Sequence, residues 1–458
     1  MHNTEIRNDR MMTMPVSRLM LSMGIPMILS MVLQAVYNIV DSAFVSNMQE
    51  NGEQALTALG LAFPVQMLMV AVGIGTGVGV NALAAKYLGQ NHPESAGKAA
   101  GNALFMAGII FLAFLIFGIA GTESYIASQH SNAVSSGMAV DYLKICCIGS
   151  AGIVFFSIFE KLLQAAGHSV HSTIAQIAGA VVNMILDPIL IYGWMGFPEC
   201  GVKGAAYATV TGQIVSCILA LIFHIRINQN IRIKAEFLKP SFEIIKQIYA
   251  IGIPAIIAQA LMSVMTYGLN ILLGKVSDSM VTAYSLYYKV QQFVLFAAFG
   301  LRDAITPVIS YAHGMKNHAR IRDGVKYGLL YTLVIMTAGL LIIELFAVPF
   351  AEIFDLSGET ETFFISAMQI ISISFLFAGT NIAFQGIFQA LDGGKESLMI
   401  SILRQILFIL PVAWLMIKIA QANSCYWLVW TTFPFAELIT TVIAIILYRS
   451  LSTQKLHS

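Results

Sequence analysis

Charge is scarce in this chain. Lysine, arginine, aspartate and glutamate make up 11% of its 458 residues, against about 25% in a soluble globular domain. So few charges cannot cover a water-facing surface, which excludes an ordinary soluble fold. The formal net charge of +1 excludes the basic face that nucleic-acid binding needs. Cysteine is sparse too. Cys146 and Cys147 are adjacent, and Cys200, Cys217 and Cys425 are scattered. No spacing suits a metal or a disulfide framework, so all five read as small apolar residues. Catalytic motifs are absent as well. There is no His-Glu-x-x-His, Gly-x-Ser-x-Gly or paired aspartate–glycine motif. Without a nucleophile or a metal set the chain is not expected to be an enzyme, nor to carry a cofactor. No cleavable signal is expected either. The first sixteen residues are polar and Met-rich, and the first apolar run is too long for a signal h-region.

What the chain has is apolar length. It is 57% hydrophobic, with a mean hydropathy of +0.77. Runs near or above ~20 residues, enough to cross a hydrocarbon core, recur throughout. Twelve spans are expected, near 17–45, 55–85, 99–121, 138–166, 172–194, 204–225, 247–274, 281–311, 327–350, 363–391, 398–420 and 425–448. This predicts an all-α polytopic membrane protein. With both termini placed in the cytoplasm, seventeen lysines and arginines fall inside, from Arg7 to Lys455. Only Lys203, Lys275 and Lys418 then fall outside, where acids such as Glu352, Asp355, Glu359 and Glu361 collect. Positive charge stays on the cytoplasmic side, so this orientation is expected.

The chain also repeats itself at an offset near 225. Gly24-Ile25-Pro26 recurs as Gly252-Ile253-Pro254, Thr57-Ala58 as Thr282-Ala283, and Gln164-Ala165 as Gln389-Ala390. An offset covering six spans keeps both halves in one orientation, which is a parallel repeat. Two six-helix lobes are expected, 1–235 and 236–458, joined by the basic segment Arg226–Lys246. Two such lobes suit an alternating-access transporter.

Two carboxylates lie inside the apolar runs, and a charge at membrane depth costs at least ~2.5 kcal/mol. Asp41 closes the first run, with Gln34, Tyr37 and Asn38 on its helical face. Asp187 lies in the fifth run, with Asn183 one turn before it and Gln176 on a nearby face. Both fall in the outer half of their spans and could share one cavity. Two carboxyls in a low-dielectric pocket hold a proton more readily than one in water, because desolvation and like charge act in the same direction. Such a pair can load and release a proton. The alternative for each acid is a structural group bonded to backbone or amide.

Other polar residues are less specific. Glu160-Lys161 reads as a local pair or as an inner station of the same cavity, and Arg302-Asp303 as a structural pair. Glu437 has no evident partner. Tyr284, Tyr288 and Gln292 form a stripe in span eight, suited to flat cationic compounds or to packing. Gly73, Gly75, Gly77 and Gly79 in span two lack the Lys-Ser/Thr of a phosphate loop, so they serve close helix packing.

Gly24-Ile25-Pro26, Tyr37-Asn38-Ile39-Val40-Asp41, Gly75-Thr76-Gly77-Val78-Gly79, Leu163-Gln164-Ala165-Ala166-Gly167 and Asn183 through Leu190 together resemble the multidrug and toxic compound extrusion family, in its bacterial drug-efflux branch. The likeness covers essentially all twelve spans. It implies a monomeric, lipid-embedded antiporter in the bacterial plasma membrane. Such a protein would export amphipathic, often cationic drugs against protons, or sodium in some relatives. It implies cation coupling at Asp41, Asn183 and Asp187, with sodium at Asp41 and Asp187 as the metal alternative. Gln34 and Thr211 are then neighbours, and Gln34, Tyr37, Asn38, Glu160, Thr211, Gln259, Tyr288 and Gln292 are candidates for touching the drug. Some relatives keep acids for sodium in spans seven and ten. Here span seven offers Gln259, Thr266 and Asn270, and span ten has no acid before Asp392, which favours coupling in the first lobe. A major-facilitator transporter would carry Gly-x-x-x-Asp-Arg-x-Gly-Arg-Arg after span two, where this chain has Lys86 through Pro93. A lipid-linked sugar flippase would want a strongly cationic cavity, and few intramembrane bases are present.

Overall fold

The structure, a computed structural model, describes residues 10–48, 52–129, 132–354 and 356–456. Arg7 and Asp355 lie outside these residues, as does the side chain of Asn38. Among the described residues there are helices and no strands. Ten helices are long and apolar enough to cross a membrane, and two bent helix pairs bring the total to twelve. The spans are 1 (Val16–Ser46), 2 (Gln54–Gly89), 3 (Pro93–Ala120), 4 (Ala133–Ile148 with Ala151–Ala165), 5 (Ser169–Tyr192) and 6 (Val202–Ile227). They continue as 7 (Phe242–Gly274), 8 (Asp278–Gly314), 9 (His318–Ile353), 10 (Gly358–Ser372 with Phe375–Ala390), 11 (Gly394–Asn423) and 12 (Tyr426–Thr453). Spans 4 and 10, one repeat apart, bend by 46° and 53°.

Helices are what this composition can form in lipid, where each backbone N–H and C=O must find a partner within its own segment. Side-chain oxygens serve the free N–H groups at several starts. Asn132 accepts from Ser135 N, Ser277 from Met280 N and Asn317 from Arg320 N. Large apolar side chains cover the outer surface, among them Ile25, Ile116, Ile185 and Leu345.

The chain forms two compact units, Met1–Thr13 with Leu29–Ile256, and Met14–Ile28 with Ile257–Ser458. Spans 1 and 7 each contribute to both, and the division falls two residues beyond Pro26 and Pro254. A proline inside a helix removes one backbone bond, so this is where each span yields most readily. No single cut at 235 describes the units, because the segment after span 6 is fastened to the first one. Asn228 Nδ2 donates to Leu162 O at 3.1 Å, and Ser241 N donates to Asn102 Oδ1 at 2.6 Å. Between them Phe237 seats its ring and backbone against Gly97 and Gly101 of span 3.

The two cores differ in kind. The first is rich in alanine, as at Ala96, Ala99, Ala100, Ala103 and Ala107, where helices approach closely. The second is aromatic, built around Tyr284, Tyr287, Phe364, Phe375 and Trp430.

Candidate functional site

Span 1 presents Ser30, Gln34, Tyr37 and Asp41 to a cavity of about 490 Å³ inside the first unit. These positions step by three and four residues, so one helical face carries them all. Span 5 adds Gln176, Gly179 and Asn183, and span 6 adds Thr209, Gly212, Gln213 and Ser216. Span 2 contributes Phe63, Gln66 and Met67, and span 4 contributes Tyr142, Phe156, Glu160 and Lys161. The wall is mainly apolar with a few convergent polar groups, as drug-sized ligand sites are.

The acids meet at one end. Asp41 and Asp187 bring their carboxyls within hydrogen-bonding reach of each other. Asp187 is fully buried, and Asn183 Nδ2 donates to its Oδ1 at 3.4 Å. Four oxygens here are buried with no hydrogen-bond partner among the described residues: Asp41 Oδ1, Asp187 Oδ2, Asn183 Oδ1 and Thr209 Oγ1. A cluster of unpaired acceptors in a dry site calls for a proton or a cation. Tyr37 faces both acids and approaches Thr209.

Glycines permit this convergence. A Cβ on Gly212 would lie 2.6 Å from Gly179 O and 2.9 Å from Asn183 Cβ. Spans 5 and 6 therefore touch backbone to backbone beside the acids. Pro188, directly after Asp187 and inside span 5, has no N–H to give the preceding turn.

Amides line the path away from the acids. Ser30 Oγ donates to Gln176 Oε1, and Gln176 Nε2 donates to Gln34 Oε1 at 3.0 Å. On the span 4 side Gln66 Nε2 donates to the Tyr142 hydroxyl at 3.1 Å. There Lys161 Nζ donates to Gln164 Oε1 at 3.0 Å, and Gln164 Nε2 to Glu160 Oε1 at 2.9 Å. Glu160 and Lys161 approach to 3.9 Å. A Cβ on Gly77 would lie 2.8 Å from Lys161 Cγ, so this glycine of span 2 makes room for the buried base.

The other candidates separate. Thr211 faces away from the cavity, because two residues rotate a helix by about 200° and its neighbour Thr209 faces in. Thr211 is exposed, and its hydroxyl returns to Tyr207 O at 2.7 Å. Gln259, Tyr288 and Gln292 belong to the second unit. Tyr288 lines a small cavity there, and Gln292 Oε1 is buried without a partner. Arg302 and Asp303 do pair, with Nη2 at 2.9 Å from Oδ1. Glu437 has a partner that its sequence neighbourhood does not show, Arg404 at 2.7 Å. Gln66, Tyr142, Thr209, Gln213 and Ser216 were not expected at the cavity. Only their amide and hydroxyl groups inside apolar runs could have marked them.

The family model described as MatE matches residues 26–189 and 254–415, one stretch in each repeat. The multidrug export protein MepA of Staphylococcus aureus (strain bovine RF122 / ET3-1) is 23% identical over 423 residues, covering 90% of each chain. MepA of Staphylococcus saprophyticus is 22% identical over 408 residues, covering 89% of each. Among solved structures, "Crystal structure of MATE in complex with MaL6" superposes with a TM-score of 0.91 at 23% identity, over 99% of this chain and 100% of that one. An outward-facing multidrug resistance MATE transporter of the MOP superfamily gives 0.90 at 23%, over 98% and 99%. A MOP superfamily transporter from Pyrococcus furiosus gives 0.88 at 24%, over 99% of each. These structures share the fold, and the family model spans well over half of the chain in the two stretches that the internal repeat predicts. The chain therefore belongs to the MatE family of multidrug efflux transporters, membrane proteins that export rather than catalyse.

Proposed function

We propose that this protein is a proton-coupled antiporter that exports amphipathic, cationic compounds by alternating access, with Asp41 and Asp187 as the coupling pair. The observation that carries this reading is the meeting of two carboxyls, with unpartnered oxygens, at one end of a drug-sized cavity. A cationic substrate in that cavity is drawn to Asp41 when the carboxyl is ionised. A proton arriving at the pair removes that attraction, so proton and substrate compete for one charge. Asn183 holds Asp187 in place. Gln34, Tyr37 and Glu160 line the substrate's path, and Gln259 and Gln292 offer contacts in the second unit. The lysine and arginine bias supports termini in the cytoplasm of a bacterial plasma membrane, with the acids toward the outer side.

Exchange of one proton for one monovalent cation moves no net charge. The driving force is then the pH gradient alone, ~1.4 kcal/mol or tenfold in substrate ratio per pH unit. Four orphaned oxygens would also suit sodium, and one experiment separates the two ions. Proteoliposomes are loaded with ethidium and given either a pH gradient or a sodium gradient at clamped voltage. Transport driven by the pH gradient alone supports the proposal, and transport driven only by sodium overturns the choice of ion.

A further inference from the structure

The second unit holds a charge pair that neither the coupling pair nor cation export uses. Arg404 and Glu437 are 7% and 5% exposed, and both line a cavity of about 40 Å³ among spans 7, 8, 10, 11 and 12. Both oxygens of Glu437 are hydrogen-bonded. Its Oε1 accepts from Arg404 Nε at 3.0 Å and Nη2 at 2.7 Å, and its Oε2 accepts from Asn381 Nδ2 at 2.7 Å. Arg404 is not saturated. A guanidinium has five N–H groups, and only the bonds from Nε and Nη2 to that single oxygen form. Arg–carboxylate pairs frequently meet fork to fork, one N–H per oxygen, and this pair does not. Here the remaining edge of the guanidinium is left to the cavity. Beside it, Gln405 is 6% exposed and its Oε1 has no partner.

The backbone is irregular around the same space. Residues Leu403–Leu407 form a π-helical turn, and span 10 breaks just before Ser374, which also lines the cavity. In lipid, departures from α-helix are tolerated where they border a cavity, and π-turns recur at functional sites. The internal repeat shows that fold alone does not require the pair. An offset of 225 carries Gly179 and Gly212 onto Arg404 and Glu437. In the first unit those glycines close spans 5 and 6 upon each other.

We propose that this cavity binds the carboxylate head of an anionic amphiphile, with the free edge of Arg404 as its charged contact. About 40 Å³ of accessible space admits roughly three water-sized groups at ~10–15 Å³ each, which matches a carboxylate. Met262, Met265 and Phe299 form the apolar wall, and methionine side chains yield readily to an incoming aryl or alkyl group. A cation would meet the positive guanidinium of Arg404 at this wall, so it suits the site less well than an anion. The site is independent of cation export through Asp41.

The test uses the purified full-length protein and radiolabelled benzoate in equilibrium dialysis. Wild type binds benzoate saturably. Glu437→Gln frees the guanidinium from its competing carboxylate and binds about tenfold tighter or more. The double variant Arg404→Gln with Glu437→Gln leaves no uncompensated charge and binds about tenfold weaker or worse. Ethidium export by the double variant certifies its fold. Asp41→Asn binds benzoate as wild type does. No saturable binding by an export-competent wild type, no gain in Glu437→Gln, or unchanged binding in a folded double variant would each overturn the proposal. Loss of proton coupling would count against the export mechanism alone.

Discussion

Replacing Asp41 with asparagine is the sharpest perturbation of the coupling pair. The side chains match in size, and Asp41 Oδ1 has no hydrogen-bond partner among the described residues, so no bond at that oxygen is lost. The change removes one of two facing acids, which relieves like-charge repulsion toward Asp187. Folding should therefore hold, with expression near wild type and a stability change within about 1 kcal/mol. Transport should not hold. With one proton exchanged per cation, a pH difference of two units supports about a hundredfold substrate ratio in wild type. Asp41→Asn cannot alternate between charge and neutrality, so its ratio should fall to about one whatever the pH difference. The assay is ethidium uptake into inverted vesicles or proteoliposomes, with the voltage clamped by valinomycin and potassium. A ratio that still rises tenfold per pH unit in Asp41→Asn would refute the assignment of this carboxyl.

Four further changes test the geometry. Gly212→Val should force spans 5 and 6 apart at Gly179 and Asn183, costing about 1–3 kcal/mol as an overpacked contact and lowering both thermal stability and transport. Unchanged export by that variant would mean the close approach is not needed. Thr211→Ala should be silent in export and within about 0.5 kcal/mol in stability, since the residue is exposed and its hydroxyl serves its own helix. Thr209→Val, two residues earlier and facing the acids, should weaken coupling, and equal behaviour of the two variants would contradict the assigned faces. Phe237→Ala empties the seat on Gly97 and Gly101, at about 3–5 kcal/mol for a buried ring. Trypsin should then cut the released segment at Arg232 or Lys234 much faster than in wild type.

Spans, repeat and acids were legible because lipid imposes them. A charge in an apolar run is conspicuous, and one helical turn of spacing puts Asn183 beside Asp187. Long-range pairing was not legible. Arg404 and Glu437 lie on separate spans, and nothing within a turn of either residue names the other. The π-turn that aims Arg404 has no sequence signature in Leu403-Arg404-Gln405-Ile406-Leu407. Thr211 stood as a neighbour of the acids by resemblance, while helical phase gave that place to Thr209. The passage of spans 1 and 7 between units was hidden for a different reason. A proline marks where a helix can yield, but not which neighbours each half will find.

The repeat therefore supplies a fold and not a chemistry. Both halves of the repeat carry a bend in the fourth span and a proline in the first. The difference lies at single positions. In the first unit two glycines let spans 5 and 6 close, and the space goes to a cavity beside two acids that lack partners. In the second, an ion pair stands at the matching positions, and the cavity beside it is about 40 Å³. Glu437 already holds a guanidinium and an amide, whereas Asp41 and Asp187 keep oxygens with no partner among the described residues. We therefore place the proposed proton exchange in the first unit. Putting leucine at Gly179 and Gly212, which fills the contact, should abolish transport. Replacing Arg404 and Glu437 together with glutamine should leave the response to a pH gradient within about twofold of wild type. A double-glutamine variant that folds and loses that response would place coupling in both units.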